Sequence, residues 1–249
     1  MRACALFLSW IVIACPVHAD TLKVLTAGAF KQVVLAMVPP FEASTGHSVT
    51  VVNDTAGAVA KRVADGEAFD VLVLTPAGLQ ALAKDGKVSP DSVATLARVA
   101  IGVAVKAGAP KPAIGTVDEF KRALVDARKV AYIDPASGGS SGIYLDGLFT
   151  RLGVADAVHA KAVLVAGGLV AERLVTGEAD IAIHQVSEIL PVAGVDLVGL
   201  LPEAVQNYTT YAAAVGSAST HQAAARAFLK SLSSEQGTAT IRSKGMLPP

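Results

Sequence analysis

The sequence predicts an α/β fold built from parallel or mixed sheets that are covered by helices. Short apolar stretches of strand length alternate with stretches whose apolar residues recur at helical spacing, as is typical of sheets with helical crossovers. Val71–Leu74, within a predicted strand at 69–74, are apolar without a break, as expected of a strand buried on both faces. With 249 residues, 52% of them hydrophobic, the chain can bury a sizeable core and divide it between two lobes.

Residues 1–19 predict a secretory signal peptide. Arg2 is followed by an apolar run from Ala3 to Cys15, and Val17-His18-Ala19 ends in the small-residue pattern of a cleavage site. The run is too short for a membrane span, which needs about 20 residues. We therefore expect cleavage after Ala19 and export to a bacterial periplasm. A lipoprotein acylated at Cys15 is the alternative, although the tether from there to the first strand is short.

Composition excludes several classes of function. Both cysteines lie in the predicted signal peptide, so a mature chain has no thiol for a disulfide, a metal or nucleophilic catalysis. The 21 basic and 21 acidic residues balance, and no basic run predicts a nucleic-acid partner. The 5 histidines have no metal-ligand spacing, and neither a phosphate-binding loop with its lysine nor a nucleophile elbow is present. We therefore expect no metal and no cofactor.

The first half of the chain contains four predicted strands. A strand at 22–26 precedes a helix at 30–45, whose apolar residues have helical spacing and which Pro39-Pro40 should bend or interrupt. The remaining elements of this half are a strand at 49–53, a helix at 57–65, the strand at 69–74, a helix at 79–85 and a strand at 99–105.

The second half continues the alternation after a break at Gly108–Pro112. Its predicted helices lie at 117–127, 143–152, 168–176, 220–232 and 234–244, and its predicted strands at 129–133, 161–165, 180–183, 195–200 and 208–215. Ligands of open α/β sheets bind beyond the carboxyl ends of strands, so the loops at these ends are the candidate binding segments.

The loop from Asp134 to Tyr144 is the strongest of these candidates. It joins an apolar strand to a helix and consists mainly of glycine and serine. Glycines let the backbone approach a guest closely, and unpaired N–H groups at a helix start attract negative charge. The loop therefore predicts a cradle for a small anion, although ordinary turns favour the same residues.

Five segments in register, at 22–30, 41–49, 59–71, 133–144 and 174–183, resemble the molybdate-binding (ModA-like) group of periplasmic solute-binding proteins. The resemblance covers nearly the whole mature chain. It implies a type II periplasmic binding protein of two α/β lobes with a ligand between them. Lobe one would comprise 20–100 and 204–249, and lobe two 101–203. It also implies a monomer that delivers a small anionic ligand to an ABC permease in the inner membrane.

The resemblance and the strand-end rule together nominate a set of ligand-binding residues. They are Gly28, Ala29, Thr55, Ala56, Gly57, Arg98, Ser137, Gly139, Ser140, Ser141, Gly142, Tyr144, Gly167, Gly168, His184, Gln185 and Tyr208. The chain departs from the molybdate-binding pattern at four places. Gly28 and Thr55-Ala56-Gly57 stand where that group has serines, Ser141 where a small apolar residue is usual, and Gln185 where it has a tyrosine. Without these hydroxyl donors the site should bind molybdate or tungstate less well, so we favour another ligand. Molybdate and tungstate remain an alternative.

An organic carboxylate is the ligand that the remaining residues favour. Arg98, at the start of a predicted crossing strand, could hold a carboxylate with two hydrogen bonds, or could simply lie on the surface. A histidine ordinarily titrates near neutral pH, so we expect that His184 could carry a proton, with Glu188 in reserve, or could be an ordinary half-buried histidine.

Two functions therefore remain open. One is a receptor for a small (poly)carboxylate. The other is an isomerase on the same scaffold, similar to aconitate isomerase, with His184 or Glu188 moving an allylic proton.

Overall fold

The computed structural model describes residues 19–249, in which strands and helices alternate as predicted. The strands are β1 Thr21–Ala27, β2 Ser48–Asp54, β3 Val71–Leu74, β4 Ala94–Lys106, β5 Val130–Ile133, β6 Ala162–Val165, β7 Ile181–Gln185, β8 Val195–Leu200 and β9 Tyr208–Val215. The helices are α1 Lys31–Thr45, α2 Ala56–Ala64, α3 Pro76–Lys84, α4 Val117–Asp126, α5 Ser140–Arg151, α6 Ala155–His159, α7 Glu172–Val175, α8 Val186–Ile189, α9 Gln222–Leu232 and α10 Glu235–Ser243. The predicted signal peptide and Cys15 lie outside the described residues.

The strands form a mixed sheet in the order β2-β1-β3-β9-β4-β7-β5-β6, with β8 paired to β4. β1 is parallel to β2 and β3, and β5 is parallel to β6 and β7. The antiparallel strands β9 and β4 join these two parallel groups. The fold is therefore mixed α/β, with two parallel groups whose carboxyl ends supply the loops considered below.

The buried apolar residues form separate clusters on the two sides of the connecting strands β4 and β9. One cluster contains residues from Leu22 to Val99 and from Tyr211 to Met246, and takes in Val186 as well. Two others lie entirely between Ile101 and Leu201. On this ground we propose the lobe boundaries given above, 20–100 with 204–249 for lobe one and 101–203 for lobe two.

The side chain of Gln206 ties the two connecting segments together. Its Oε1 accepts from the backbone N–H of Ile101 (3.0 Å), and its Nε2 donates to the Ile101 carbonyl (2.9 Å). Nε2 also lies 3.4 Å from the carbonyl of Leu201. The amide side chain thus replaces a main-chain pairing at the point where the chain returns to lobe one.

Three predicted elements need correction. α1 runs without interruption through Pro39 and Pro40, because its buried face (Val33, Val34, Met37 and Phe41) packs into the lobe-one core. The strand predicted to start at Val99 begins at Ala94, so Arg98 lies within a strand rather than at the end of a helix. The helix predicted at 143–152 begins at Ser140, which places Ser140 and Ser141 of this loop in its first turn.

Two short helices differ from expectation in extent. α7 covers only Glu172–Val175 of the predicted 168–176, since Gly167 and Gly168 belong to the turn before it. The five-residue α6 was not predicted. Within residues 19–249 no helix has the length and apolarity needed to cross a membrane.

Candidate functional site

A narrow cleft lies where the carboxyl ends of strands from both lobes meet. Lobe one contributes residues 27–29 after β1, residues 53–56 at the end of β2, and Tyr211 from β9. Lobe two contributes Ile133, residues 139–141, Gly168, His184, Gln185 and Glu188. The space between them is only about 30 Å³ in this conformation, close to the volume of a single water molecule.

The first turn of α5, the segment predicted to hold an anion, faces this cleft. Gly139 caps the helix without a side-chain hydrogen bond, and Ser140 and Ser141 line the cleft. The first N–H groups of a helix have no partner within the helix, and the positive end of the dipole adds to their attraction for anions. The start of this 12-residue helix is therefore suited to hold one carboxylate of a ligand.

Glycines at the start of α5 allow it to pack directly on the end of β5. A Cβ on Gly139 would collide with the Ile133 side chain, and a Cβ on Gly142 would collide with the Ile133 carbonyl. Gly142 therefore supports the cradle through close packing, and it does not itself line the cleft.

A buried acid–base pair lies on the lobe-two side of the cleft. His184 is the next-to-last residue of β7, and Glu188 lies four residues later in α8, with Nε2 and Oε2 3.1 Å apart. Only 1% of His184 and 6% of Glu188 is exposed. Gly28 lies opposite, where a Cβ would come within 2.7 Å of Glu188 Oε1, so the absence of a side chain at residue 28 makes room for this carboxyl group.

Burial determines the charge state of this pair. Loss of hydration raises the pKa of Glu188 to about 8, although the nearby positive charge of Lys31 lowers it somewhat. The same loss of hydration lowers the pKa of His184 to about 3. At neutral pH the proton therefore resides on Glu188, which donates it to Nε2 of a neutral imidazole. The ring proton is then on Nδ1, which has no hydrogen-bond partner among the described residues.

These pKa shifts predict that Glu188→Gln changes how stability depends on pH. Between about pH 4.5 and 8 the unfolded chain releases the Glu188 proton while the folded protein keeps it, so the free energy of unfolding falls as pH rises. The His184 shift acts in the opposite direction at lower pH, between about 3 and 6.5. As pH rises from 5 to 9, the free energy of unfolding of Glu188→Gln should therefore increase relative to that of wild type by on the order of a few kcal/mol.

Urea unfolding at a series of pH values measures this difference. The exposed Glu203→Gln variant is the control, because it loses a carboxyl group outside the cleft. Parallel stability profiles for wild type and Glu188→Gln would contradict the raised pKa of Glu188.

Tyr211 connects the lobes in the middle of the cleft. Its hydroxyl lies 3.2 Å from Gln185 Oε1 and 3.3 Å from Ser140 Oγ, and Gln185 Nε2 lies 3.3 Å from the same serine oxygen. Burial, and then the nearby Glu188, raise the pKa of the Tyr211 phenol, which stays protonated as a donor. These three side chains form a polar network that a ligand could enter by replacing one of the long hydrogen bonds.

Thr55 and Gly57 form hydrogen bonds with the opposite lobe, so their donors are not free to bind a ligand. The Thr55 hydroxyl donates to the Ser137 carbonyl (2.5 Å) and caps α2 by accepting from the Ala58 N–H (3.2 Å). The Gly57 N–H donates to the Gly138 carbonyl (3.0 Å). The hydroxyl of Ser137 donates to the Asp134 carbonyl, so neither Thr55 nor Ser137 offers a free hydroxyl to a ligand in this conformation.

Three nominated residues are placed away from the cleft lining. Arg98 is exposed, with its guanidinium 5.1 Å from the ring centre of Tyr208, which is itself exposed. The hydroxyl of Tyr144 donates to the Val205 carbonyl (2.8 Å), which ties α5 to the returning segment. The geometry thus gives no support to Arg98 as a carboxylate clamp, because the strand that replaces the expected helix end directs its side chain to the surface.

The other nominated residues lie in or beside the cleft. Ala29, Ala56, Gly168 and Gln185 line it, together with Gly28, Thr55, Gly139, Ser140, Ser141 and His184. Gly167 is adjacent, since a Cβ there would lie 3.8 Å from Asp54 Oδ1.

Sequence reasoning did not nominate Asn53, Asp54 or Lys31. Asn53 and Asp54 line the cleft at the end of β2, and the strand-end rule that identified the anion loop could have identified them. Asp54 Oδ1 accepts from the Thr55 N–H (2.8 Å), and Oδ2 lies 4.0 Å from Arg62. Lys31 has no sequence signal, because its relation to Glu188 depends on how the two lobes meet.

A wider groove of about 840 Å³ lies at the opposite end of lobe two. It is lined by the end of β4, the segment before β5 and the start of β7, and includes Val105, Arg128 and Ile181. Arg128 is already paired with Asp180 there (2.6 Å). We place the site in the smaller cleft because that is where the buried acid–base pair and the helix start converge. Residues 19–249 contain no group of three or more His, Cys, Asp or Glu arranged to hold a metal ion.

Comparison with known proteins matches the chain to one family over almost its whole described length. A model of the bacterial extracellular solute-binding protein family matches residues 22–247. The chain is also 36% identical over 234 residues to a protein named aconitate isomerase from Pseudomonas sp., an alignment that covers 92% of this chain and 88% of that protein.

Solved structures of periplasmic binding proteins have the same fold. The periplasmic molybdate-binding protein of Azotobacter vinelandii superposes with a TM-score of 0.78 at 22% identity, covering 92% of this chain and 99% of that one. The sulfate-binding protein of Mycobacterium tuberculosis superposes with a TM-score of 0.74 at 21% identity, covering 93% of this chain and 87% of that one. At these identities the likeness establishes the two-lobed fold alone.

Proposed function

This chain belongs to the family of bacterial extracellular solute-binding proteins, and within that family we propose that it is an isomerase of a small unsaturated polycarboxylate of the aconitate type. The periplasmic location that the family implies agrees with the export expected from residues 1–19. The observation that carries the proposal is the buried Glu188–His184 pair beside an anion cradle. The identity to a protein named aconitate isomerase supports it.

The pair has the properties of a proton carrier. Glu188 has a pKa of about 8, so it can release and regain a proton near physiological pH. His184 stays neutral behind it and accepts through Nε2 from the protonated carboxyl group. To donate through Nε2 to the ionised carboxylate, the ring takes its other neutral tautomer, in which Nδ1 carries no proton. A binding site for an anion has no need of a buried carboxyl group, because its negative form repels the ligand.

The reaction we propose is a 1,3-proton shift with no gain or loss of atoms. Ionised Glu188 removes a proton from the methylene carbon of the substrate, and the electron pair of that C–H bond forms a new double bond to the central carbon. The electrons of the former double bond then take the same proton from Glu188 at the far carbon. The double bond thereby moves between the arms of the tricarboxylate, and the cis and trans isomers interconvert. No redox partner or cofactor is needed.

The α5 start supplies the other half of the chemistry. Charge that develops during proton removal spreads onto the adjoining carboxylate, and aligned N–H donors stabilise it there. We assign this role to Ser140, Ser141 and the first-turn amides, which lie at the cleft. The Tyr211 hydroxyl is a further donor at the cleft.

A receptor for a small anion is the second candidate. The helix-start cradle between two lobes favours it, since such a cradle can hold a ligand without any proton transfer. In that case the partner would be an ABC permease of the inner membrane. Molybdate or tungstate fits the cleft less well, because Gly28 has no hydroxyl and the Thr55 hydroxyl already donates to the Ser137 carbonyl.

The test is to incubate the protein with cis-aconitate in D₂O and follow it by proton NMR, with a parallel thermal-shift series. The expected result is the appearance of trans-aconitate, with deuterium entering the product when the Glu188 proton exchanges with solvent. The series contains cis-aconitate, citrate, molybdate and sulfate, and a bound ligand at a hundred times its Kd should add roughly 2.7 kcal/mol of stability.

Each outcome separates the candidates. Conversion above the protein-free rate supports the isomerase. Stabilisation by a carboxylate without conversion overturns it in favour of the receptor. Stabilisation by molybdate alone overturns both carboxylate proposals.

A further inference from the structure

We propose that Thr55 and Gly57 of lobe one form a latch with Ser137 and Gly138 of lobe two, which holds the lobes closed and brings Glu188 into position over the ligand. The latch consists of two donors on lobe one and two main-chain carbonyls on lobe two. Its closing function stands independently of the reaction, and only its effect on turnover rests on the proposed function.

The latch uses the groups that otherwise would be free to bind an anion. The Thr55 hydroxyl and the Gly57 N–H both lie at the start of α2, where unpaired donors are concentrated. They donate to the carbonyls of Ser137 (2.5 Å) and Gly138 (3.0 Å). The donors at the start of α2 thus have their hydrogen-bond partners in lobe two. This segment therefore holds the lobes together and does not bind the ligand.

The two glycines make this backbone contact possible. A Cβ on Gly57 would lie 2.8 Å from the Gly138 Cα, and a Cβ on Gly138 would lie 2.9 Å from the Gly57 Cα. Any side chain at residue 57 therefore separates the lobes. Gly57 is not among the residues with positive φ, so a Cβ there strains the contact and not the local backbone.

The latch adjoins both halves of the site. Ser137 and Gly138 lead directly into Gly139 and the first turn of α5. Thr55 follows Asn53 and Asp54, which line the same cleft. Closing the latch thus moves the anion cradle of lobe two against lobe one, where Gly28 receives Glu188.

Gly57→Ala is the variant that tests the latch, and Gly78→Ala is its matched control. Both glycines lie in the first turn of a nine-residue helix capped by threonine, α2 and α3 respectively. The nearest atom to a Cβ on Gly78 is the hydroxyl of its own cap, Thr75, at 3.3 Å. Both substitutions should favour the helix, so a difference between them reports on the lobe contact alone.

We expect Gly57→Ala to shift the closed-to-open ratio by about thirtyfold, which corresponds to about 2 kcal/mol for two lost hydrogen bonds. Small-angle X-ray scattering should show a larger radius of gyration, and amide hydrogen exchange should quicken at residues 136–140. With cis-aconitate as the probe, kcat/KM should fall by a similar factor. Gly78→Ala should resemble wild type in all three measurements.

Thr55 provides a second test. Thr55→Val keeps the side-chain shape but loses both the lobe contact and the helix cap, whereas Thr75→Val in α3 loses a cap alone. Faster exchange at 136–140 in Thr55→Val only, with recovery in Thr55→Ser, supports the latch. If Gly57→Ala and Thr55→Val both keep the wild-type radius of gyration and exchange rates, the latch is refuted even where turnover is present. If they open the lobes and no turnover is found in any variant, the latch stands and the isomerase is refuted.

Discussion

Replacing Glu188 with glutamine is expected to lower kcat for aconitate interconversion by roughly 10²- to 10⁴-fold, the usual contribution of a positioned acid–base group. Glutamine has the shape of the neutral carboxyl group and can donate to His184 Nε2, so the cleft should keep its geometry. It cannot take up a proton from the methylene carbon. Ligand binding should therefore change little, and the loss should appear in kcat while KM is nearly unchanged.

The measurement is the NMR conversion assay, combined with thermal shift by cis-aconitate for binding. Glu203→Gln, an exposed carboxyl outside the cleft, should convert at the wild-type rate. In the wild-type protein kcat should rise with pH through about 8 as Glu188 ionises. Full activity in Glu188→Gln would remove Glu188 from the reaction and leave the receptor as the better account.

The position of the glycine–serine loop at the cleft was predictable from sequence because its signal is local. Strand 129–133, the glycine–serine loop and the following helix are contiguous, and the strand-end rule needs no long-range information. The three-residue error in the start of α5 has a local cause. Glycine and serine are weak helix formers, so the residue pattern does not predict the first helical turn at Ser140–Gly142, where Gly142 packs closely on Ile133.

The roles of Thr55 and Arg98 could not be predicted, because they depend on the other lobe and on strand register. Thr55 at a strand end resembles a ligand-binding hydroxyl. Only the folded chain shows that this hydroxyl donates a hydrogen bond to the Ser137 carbonyl. Arg98 follows an apolar stretch that was compatible with a helix end. In the structure Arg98 lies within β4, opposite Thr210 of β9, and its guanidinium lies over the Tyr208 ring.

Our proposal reverses the order in which the sequence ranks His184 and Glu188 as proton carriers, for a related reason. Sequence favoured the histidine as proton carrier, since its ordinary pKa lies near neutrality. The fold buries both side chains and places the carboxyl group against Gly28. Burial moves the pKa of Glu188 toward neutrality and the pKa of His184 away from it, so Glu188 becomes the better proton carrier. Burial of this kind is a property of the assembled cleft and has no signature in a single sequence.

Gly142→Ala is expected to destabilise the protein by about 1–3 kcal/mol and to abolish ligand-induced stabilisation. The added methyl group would collide with the Ile133 carbonyl, a main-chain atom that cannot move away without disturbing β5. The first turn of α5 must then shift, and its N–H groups lose their alignment toward the cleft. Urea unfolding measures the first effect, and thermal shift with cis-aconitate the second.

Gly147→Ala in the same helix is the matched control. There the nearest atom to an added Cβ is the end of the flexible Arg151 side chain, at 3.4 Å, so alanine should instead stabilise α5 by up to about 1 kcal/mol. The two substitutions are chemically identical and differ only in what the methyl group meets. Equal stability and equal ligand response in the two variants would show that the packing of α5 on β5 does not shape the anion cradle. A loss confined to Gly142→Ala would tie the cradle to that single close contact.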